Sequence, residues 1–543
     1  MPHIRRIRPA KSPRRGAART SPPSASVPRP TPKGRGASPA CLARPERVAA
    51  IRHALAVLSA LVVVAALPAA AGASSGDCAA GDALCFEALP ADAAWEQAIG
   101  LDAVPNRYQG DGVTVASIDT GVRPTPNLGA RLLARVDLTG EGDGLDRFGH
   151  GTHMAGLIAG DGTTSSEAFE GAAPEAGLVS VKVAGWDGAT DVSSVIAGLR
   201  WVVSNRDRFG IRVVNLSWGT DAVRGYGDDP LNLAVERAWR AGLVVVVSAG
   251  NTGPAGGTVA KPGDDPSVVT VGAADTNGTA TAADDAVAPF SSRGPTADGT
   301  AKPDVLAPGV SLVSDRAPGS TVDTFRPAAR VGLSHFKGTG TSQASAVVAG
   351  VAARLLAANP ALTNDQVKGV LVATADPALA GAGGGAGIVD AAAAVAAVVP
   401  ARRAPAPPAP PSANAGLVPA TGRGTLDASR GTQRVYGDLD GDGTPEPLAG
   451  ELDALGAPWD AGAYADERWD PATWAASAWA RVTAENAGAV RPAARRGPIV
   501  AWEPADWGAT SALQAGWDAR YWGARYWGAR YWGARYWGSA LWP

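Results

Sequence analysis

Ser342 lies in surroundings that suit nucleophilic chemistry. The glycine-rich loop 338–341 leads through it into apolar residues at helical spacing, and the run ends at Asn359-Pro360. A helix start places the Ser342 amide among unpaired backbone donors, which favour a developing negative charge. The residue could equally be an ordinary helix cap. A catalytic role requires a base within reach and a third group that orients this base.

The candidate base comes from the pair His150 and His153, which begins a helical pattern of small residues. Two histidines at i and i+3 could bind a metal. However, no glutamate stands between them as in the zinc-protease motif, and no cysteine or further histidine is near in sequence. We therefore interpret one histidine as the catalytic base and the other as a packed structural residue.

Asp119 is the candidate third group, because it ends the apolar strand pattern 113–118 and precedes Thr120-Gly121. Aspartic proteases also use Asp-Thr-Gly, but they need two such loops to form a carboxylate pair that shares a proton. A second Asp-Thr/Ser-Gly after an apolar strand does not occur in this sequence. On its own, Asp119 could be a simple turn residue at a strand end.

An alternating series of elements must bring these residues together. Apolar strands are predicted at 113–118, 178–183, 213–217, 243–248 and 268–271, with helices at 192–205, 231–241 and from Thr363. Near-continuous apolar strands between helices predict an α/β fold with a mostly parallel sheet covered by helices on both faces. Functional groups collect beyond the carboxyl ends of such strands, where Asp119, Ser217 and Asn251 stand.

The order Asp119, His150, Ser342 is the order found in subtilisin. Over residues 95–395 the chain resembles the subtilisin-like serine proteases (subtilases, peptidase family S8). The matching stretches are 115–122, 149–156, 247–251, 290–295, 302–310 and 340–345. The resemblance implies a subtilisin-like fold and a secreted serine endopeptidase that works through an Asp-His-Ser triad and an acyl-enzyme intermediate.

The resemblance also implies a role for each site residue. Ser342 would attack the scissile carbonyl, His150 would carry its proton to the leaving amine, and Asp119 would orient the imidazole. The Asn251 side chain and the Ser342 amide would bind the oxyanion. Substrate-binding positions are implied for Ser217, Trp218, Gly219 and Gly250. The chain departs from the family at Gln343 and Ala346, where methionine and proline are usual, and the family's calcium sites cannot be placed.

The N-terminal residues indicate export. Residues 1–52 contain 13 Lys and Arg but one acid, Glu46, and an apolar run at about 54–71 follows, ending in an Ala71-Gly72-Ala73 cleavage pattern. We expect residues 1–73 to be a leader with a secretory signal peptide, and synthesis could start near Val48. The run falls short of the ~20 apolar residues of a membrane span. This predicts an extracellular protein that meets the membrane only during export and binds no nucleic acid.

Segment 74–94 is shorter than the inhibitory pro-domain of many relatives, and it contains Cys78 and Cys85. Outside the cytosol a short-loop disulfide between them is expected, with two free thiols as the alternative. The catalytic domain is predicted at 95–399 and is followed by a Pro/Ala-rich linker at 400–416.

The small C-terminal region 417–500 contains a candidate calcium turn, and we expect β or irregular structure there. Oxygen ligands at Asp438, Asp440, Asp442 and Glu446 suit structural Ca²⁺, although Ala449 excludes an EF-hand. A solvated acidic turn is the alternative. The proposed chemistry itself requires no cofactor.

In the tail 501–543 the tryptophans are separated by multiples of five residues, and Ala-Arg-Tyr-Trp-Gly occurs four times in tandem. Exposed aromatic residues with interleaved arginines are typical of a contact surface, and we expect attachment to cell-wall or other extracellular polymer, with a flexible tail as the alternative. A second class of function is a surface protein with an inactive protease-like scaffold and a polymer-binding tail. A missing catalytic residue would favour it, but Asp119, His150, Asn251 and Ser342 are all present.

Overall fold

The structure is a computed structural model that describes residues 94–221, 224–381, 383–399, 413–432, 434–437, 446–487 and 499–500. Several sequence predictions fall outside these ranges: the leader, the Cys78–Cys85 pair, the aspartates of the candidate calcium turn and the tryptophan-rich tail.

An eight-stranded sheet forms the centre of the molecule. Its strands are β1 (Thr114–Asp119), β2 (Leu132–Asp137), β3 (Gly177–Lys182), β4 (Ile211–Leu216), β5 (Val244–Ser248), β6 (Val269–Asp275), β7 (Ala286–Val287) and β8 (Val305–Pro308). Their order is β2-β3-β1-β4-β5-β6-β7, with β8 also paired to β6. Every pairing is parallel except β6 with β7. The predicted mostly parallel sheet is therefore confirmed.

Smaller ribbons complete the strands. They are β9 (Leu312–Asp315), β10 (Arg330–Val331) and β11 (His335–Gly338), and then β12 (Tyr436–Gly437), β13 (Glu446–Pro447) and β14 (Ile499–Val500). Both ribbons are antiparallel.

Helices cover both faces of the central sheet. They are α1 (Ala94–Ala98), α2 (His150–Ala159), α3 (Val192–Phe209), α4 (Pro230–Arg240), α5 (Thr321–Phe325), α6 (Thr341–Ala358), α7 (Asn364–Thr374), α8 (Ala391–Val398), α9 (Leu426–Ser429), α10 (Ala461–Asp466), α11 (Pro471–Ala476) and α12 (Ala478–Ala487). Helices α2 and α6 pack together on one face, and α3 and α4 on the other. Among the described helices only α6 is long and apolar enough to resemble a membrane span, and 89% of it is buried as a core helix.

Polar caps explain where several of the helices begin. Asp191 accepts from the Ser193 amide at the start of α3, and Asp229 accepts from two amides at the start of α4, where Pro230 takes the first helical position. Thr363 forms a capping box with Gln366, as its sequence position predicts. These caps fix the ends of the loops that follow β3 and β4.

The described C-terminal residues pack on the same hydrophobic core as the sheet, and Leu426, Tyr464 and Trp474 are buried in it. Arg430, 1% exposed, donates from Nε to Asp191 Oδ2 at 2.6 Å. Where the sequence indicated β or irregular structure, residues 446–487 are mostly short helices, because Asp460 and Asp470 cap the turns between the tryptophans.

Candidate active site

Asp119 and His150 form a buried pair at the carboxyl end of β1. Asp119 ends this strand, and His150 is the first residue of α2. The two Asp119 oxygens lie 2.7 and 2.8 Å from His150 Nδ1, and the side chains are 1% and 0% exposed. An ionised Asp119 requires the imidazole proton on Nδ1, so Nε2 is left as the basic nitrogen. This arrangement suits a histidine that accepts a proton from a nucleophile.

The Asp146 carboxylate holds the pair together and was not identified from the sequence. Its Oδ1 accepts from the Thr120 hydroxyl and from the Phe148 and Gly149 amides, at 2.9, 3.1 and 2.6 Å. Its Oδ2 accepts from the amide and the hydroxyl of Thr152, at 2.8 and 2.7 Å. Burial raises the pKa of Asp146. The only sequence signal for this role is an aspartate four residues before a helix-starting histidine.

Thr120 joins the strand to the helix. Its hydroxyl donates to Asp146 Oδ1 and accepts from the Gly151 amide at 2.8 Å, within the first turn of α2. Its own amide donates to Asp119 Oδ1 at 2.7 Å. The end of β1 and the start of α2 are thus held at one spacing by the side chains of Thr120 and Asp146.

Ser342 is the second residue of α6 and is 1% exposed. Its hydroxyl donates to the Ser217 carbonyl at 3.3 Å, just after β4. Ser217 and Ser345 hydroxyls lie 2.9 Å apart, and both contact the Ser342 carbonyl oxygen, at 3.1 and 2.9 Å. These contacts fix the first turn of α6 against the strand next to β1.

Asn251 stands beyond β5 and faces the start of α6. Its Oδ1 accepts from the amide and the hydroxyl of Thr341, at 2.8 and 2.9 Å, so its Nδ2 is turned away as a donor. A β-carbon on Gly340 would lie 3.5 Å from Asn251 Nδ2 and 3.7 Å from the Ser342 amide nitrogen. Asn251 Nδ2 and the Ser342 amide nitrogen therefore lie on the same side of Gly340, close to the Ser342 side of α6.

Residues 110–404 match the sequence profile of the subtilase family. The chain belongs to this family. Serine protease AprX of Bacillus subtilis (strain 168) is 45% identical over 288 residues, which are 52% of this chain and 65% of that protein. The chain thus spans just under two thirds of AprX. Subtilisin DY of Bacillus licheniformis is 35% identical over 271 residues, 49% of this chain and 85% of that protein. Among solved structures, sphericase is similar at 28% identity and a TM-score of 0.42, over 49% of this chain and 84% of that one.

The second histidine of the subtilase motif is structural, as interpreted from the sequence. His153 is 1% exposed, and its Nε2 donates to the Phe336 carbonyl at 3.0 Å. Burial, with a further contribution from His150, lowers the pKa of His153 to about 3. It is therefore neutral at physiological pH. In the described residues no group of three or more His, Cys, Asp or Glu is placed to bind a metal.

The predicted substrate-binding residues form a close-packed wall beyond β4 and β5. A β-carbon on Gly219 would lie 2.6 Å from the Lys261 carbonyl oxygen and 2.9 Å from the Ala260 β-carbon. One on Gly250, which has a φ of +100°, would lie 3.0 Å from the Ala260 β-carbon. Only glycine fits at these two positions without displacing the wall. The Trp218 ring is buried in the core, so its side chain supports the wall from behind.

Proposed function

We propose that this subtilase is a secreted serine endopeptidase that hydrolyses polypeptide substrates through an acyl-enzyme on Ser342. The buried hydrogen-bonded pair of Asp119 and His150 is the observation that carries the proposal. The positions of Asn251 and the start of α6 at the same edge of the sheet support the proposal, because both would offer oxyanion donors beside Ser342.

In this mechanism Ser342 Oγ attacks the scissile carbonyl carbon while His150 Nε2 accepts the hydroxyl proton. The oxyanion that forms accepts from Asn251 Nδ2 and from the Ser342 amide, which bind it more strongly than the ground-state carbonyl. Asp119 stabilises the imidazolium, and His150 then protonates the leaving amine. A water molecule hydrolyses the ester by the same route, and Ser342 is regenerated.

The test uses the purified full-length chain, its Ser342→Ala variant and a matched Ser165→Ala variant. Ser165 is buried, and its hydroxyl bonds within the loop 162–169, away from the catalytic pair. We expect casein cleavage and fluorophosphonate labelling in the wild type and in Ser165→Ala. Ser342→Ala should lose labelling entirely and cleavage by several orders of magnitude. Equal cleavage by the wild type and Ser342→Ala would refute the mechanism.

Export through a signal peptide at residues 1–73 is supported by the basic, apolar and small-residue pattern of the sequence. The measurement is N-terminal sequencing of protein recovered from culture medium. A mature N-terminus near residue 74 is expected. Intact N-terminal residues, or protein confined to the cell, would contradict this proposal.

Attachment of the tail 501–543 to an extracellular polymer, and Ca²⁺ at the turn that ends in Glu446, are further proposals that rest on the sequence. Full-length chain should be retained on isolated cell walls, and a chain with alanine at the tail tryptophans should not. Equal retention of the two would end the first proposal. The calcium proposal is tested by adding a chelator and measuring the thermal unfolding midpoint. A midpoint that does not change would contradict it.

A further inference from the structure

Gln343, the residue after the nucleophile, has an unusual environment. It is the third residue of α6 and is 0% exposed. Neither its Oε1 nor its Nε2 has a hydrogen-bond partner among the residues that the structure describes. A buried amide without partners costs folding free energy, because its hydrogen bonds to water are lost without replacement.

The methionine that subtilases usually place here would avoid that cost, because it fills a similar volume without a polar amide. Where a chain keeps a buried polar group that folding does not need, the group is often functional. Gln343 is therefore a candidate for a role that appears only when substrate is bound.

The Gln343 amide faces the space that holds the oxyanion donors. A β-carbon on Gly340 would lie 2.9 Å from Gln343 Oε1, 3.5 Å from Asn251 Nδ2 and 3.7 Å from the Ser342 amide nitrogen. Gln343 Oε1, Asn251 Nδ2 and the Ser342 amide nitrogen therefore lie together on one side of Gly340. Because neither end of the Gln343 amide is bonded, turning it by about 180° breaks no hydrogen bond and brings Nε2 to the place of Oε1.

We infer that Gln343 is a third oxyanion donor, which turns its Nε2–H toward the tetrahedral intermediate beside Asn251 and the Ser342 amide. The inference rests on the proposed endopeptidase function and goes beyond it, because it assigns a transition-state role to a side chain that the resemblance does not supply. The donor contributes only once negative charge develops, so it acts on kcat rather than on KM.

The experiment compares the full-length wild type with Gln343→Met and Gln343→Glu. For each, kcat and KM are measured on a tetrapeptide p-nitroanilide, and Ki is measured for a peptide aldehyde whose adduct with serine carries an oxyanion. We expect Gln343→Met to lower kcat about tenfold with KM within about twofold, and to raise Ki by the same factor as it lowers kcat/KM. Gln343→Glu should be slower still, because its carboxylate repels the oxyanion.

The stability of the folded protein provides a second readout. If Gln343 only stabilised the fold, replacing it would lower the urea midpoint, whereas the inference predicts that the midpoint rises. In the Ser342→Ala background, Gln343→Met should raise the urea midpoint, because an unpartnered buried amide is removed. The matched control is Gln366→Met, which removes the capping-box glutamine of α7. This control should leave kcat unchanged and lower the midpoint slightly.

Any one of four results would overturn the inference. An unchanged kcat in Gln343→Met would show that Gln343 stabilises no oxyanion. A fall in kcat that is accompanied by a fall in the urea midpoint would show the same. A Gln343→Glu variant as active as the wild type would show that an acceptor serves there as well as a donor. If the wild type itself cleaves no better than Ser342→Ala, the proposed function is refuted, and this inference is refuted because it depends on that function.

Discussion

Replacing Asp146 with asparagine tests how the Asp119–His150 geometry is maintained. Asparagine keeps the shape but has one acceptor oxygen where the carboxylate has two. If that oxygen retains the three donors of Oδ1, the new NH₂ faces the Thr152 amide, which now lies 2.8 Å from Oδ2. One buried donor is then left without an acceptor, at about 1–3 kcal/mol, and three bonds lose the assistance of a charge.

We therefore expect Asp146→Asn to lower the free energy of unfolding by about 3–5 kcal/mol, which a protein of ordinary stability survives. The measurement is urea unfolding in the Ser342→Ala background, where the chain cannot digest itself. Asp143→Asn is the control, because Asp143 lies in the same loop, is 38% exposed and pairs with the exposed Arg147. Asp143→Asn should lower the free energy of unfolding by less than about 1 kcal/mol.

Activity should respond as well. If α2 moves by about 1 Å relative to β1, kcat/KM of the otherwise unmodified enzyme should fall about 10²-fold in Asp146→Asn. The reasoning would be refuted if Asp146→Asn and Asp143→Asn unfolded at the same urea concentration, since five buried hydrogen bonds would then contribute nothing measurable.

Further predictions concern the triad, the substrate wall and acid stability. Asp119→Asn should lower kcat about 10⁴-fold, because an amide N–H at Nδ1 selects the wrong imidazole tautomer; a smaller loss than tenfold would contradict the assigned role. Gly219→Ala should raise KM more than it lowers kcat, because the methyl displaces the wall at Lys261, and an unchanged KM would argue against a substrate contact. Burial lowers the pKa of His153 to about 3. Below pH 6.5 the unfolded chain therefore binds a proton that the folded chain does not bind, and the free energy of unfolding falls as the pH falls. We compare the free energy of unfolding of His153→Gln with that of its parent, both in the Ser342→Ala background. Between pH 6 and 4 the slope should be smaller in His153→Gln by about 1.4 kcal/mol per pH unit. Parallel curves for the two proteins would contradict this prediction.

The elements that the sequence predicts correctly are those with strong local signals. Strands β1, β3, β4 and β5 are near-continuous apolar runs, and their predicted and observed ends differ by no more than two residues. Thr363 carries a complete capping box, so the start of α7 was also predicted. Strands such as β2, with an alternating burial pattern at the sheet edge, have a weaker signal and were missed.

Contacts between distant segments could not be predicted in this way. Asp146 resembles any turn aspartate until the fold brings Thr120 to it across 26 positions in sequence. Arg430 and Asp191 are 239 residues apart, and nothing in the local sequence of either indicates the other. The candidate triad could be predicted because its members lie in recognisable local motifs, whereas the groups that hold them in place are scattered along the chain.

The buried ion pair of Arg430 and Asp191 has a consequence for anyone who wishes to transplant this subtilase domain. The match to the subtilase profile ends at residue 404, yet the cation that neutralises Asp191 and the core residues Leu426 and Trp474 come later in the chain. A chain cut at 404 would leave Asp191 without its cation and would expose apolar surface at once. We expect the folded protein to melt as one cooperative unit through α12. A boundary after residue 487 is therefore the one to use for grafting or domain shuffling.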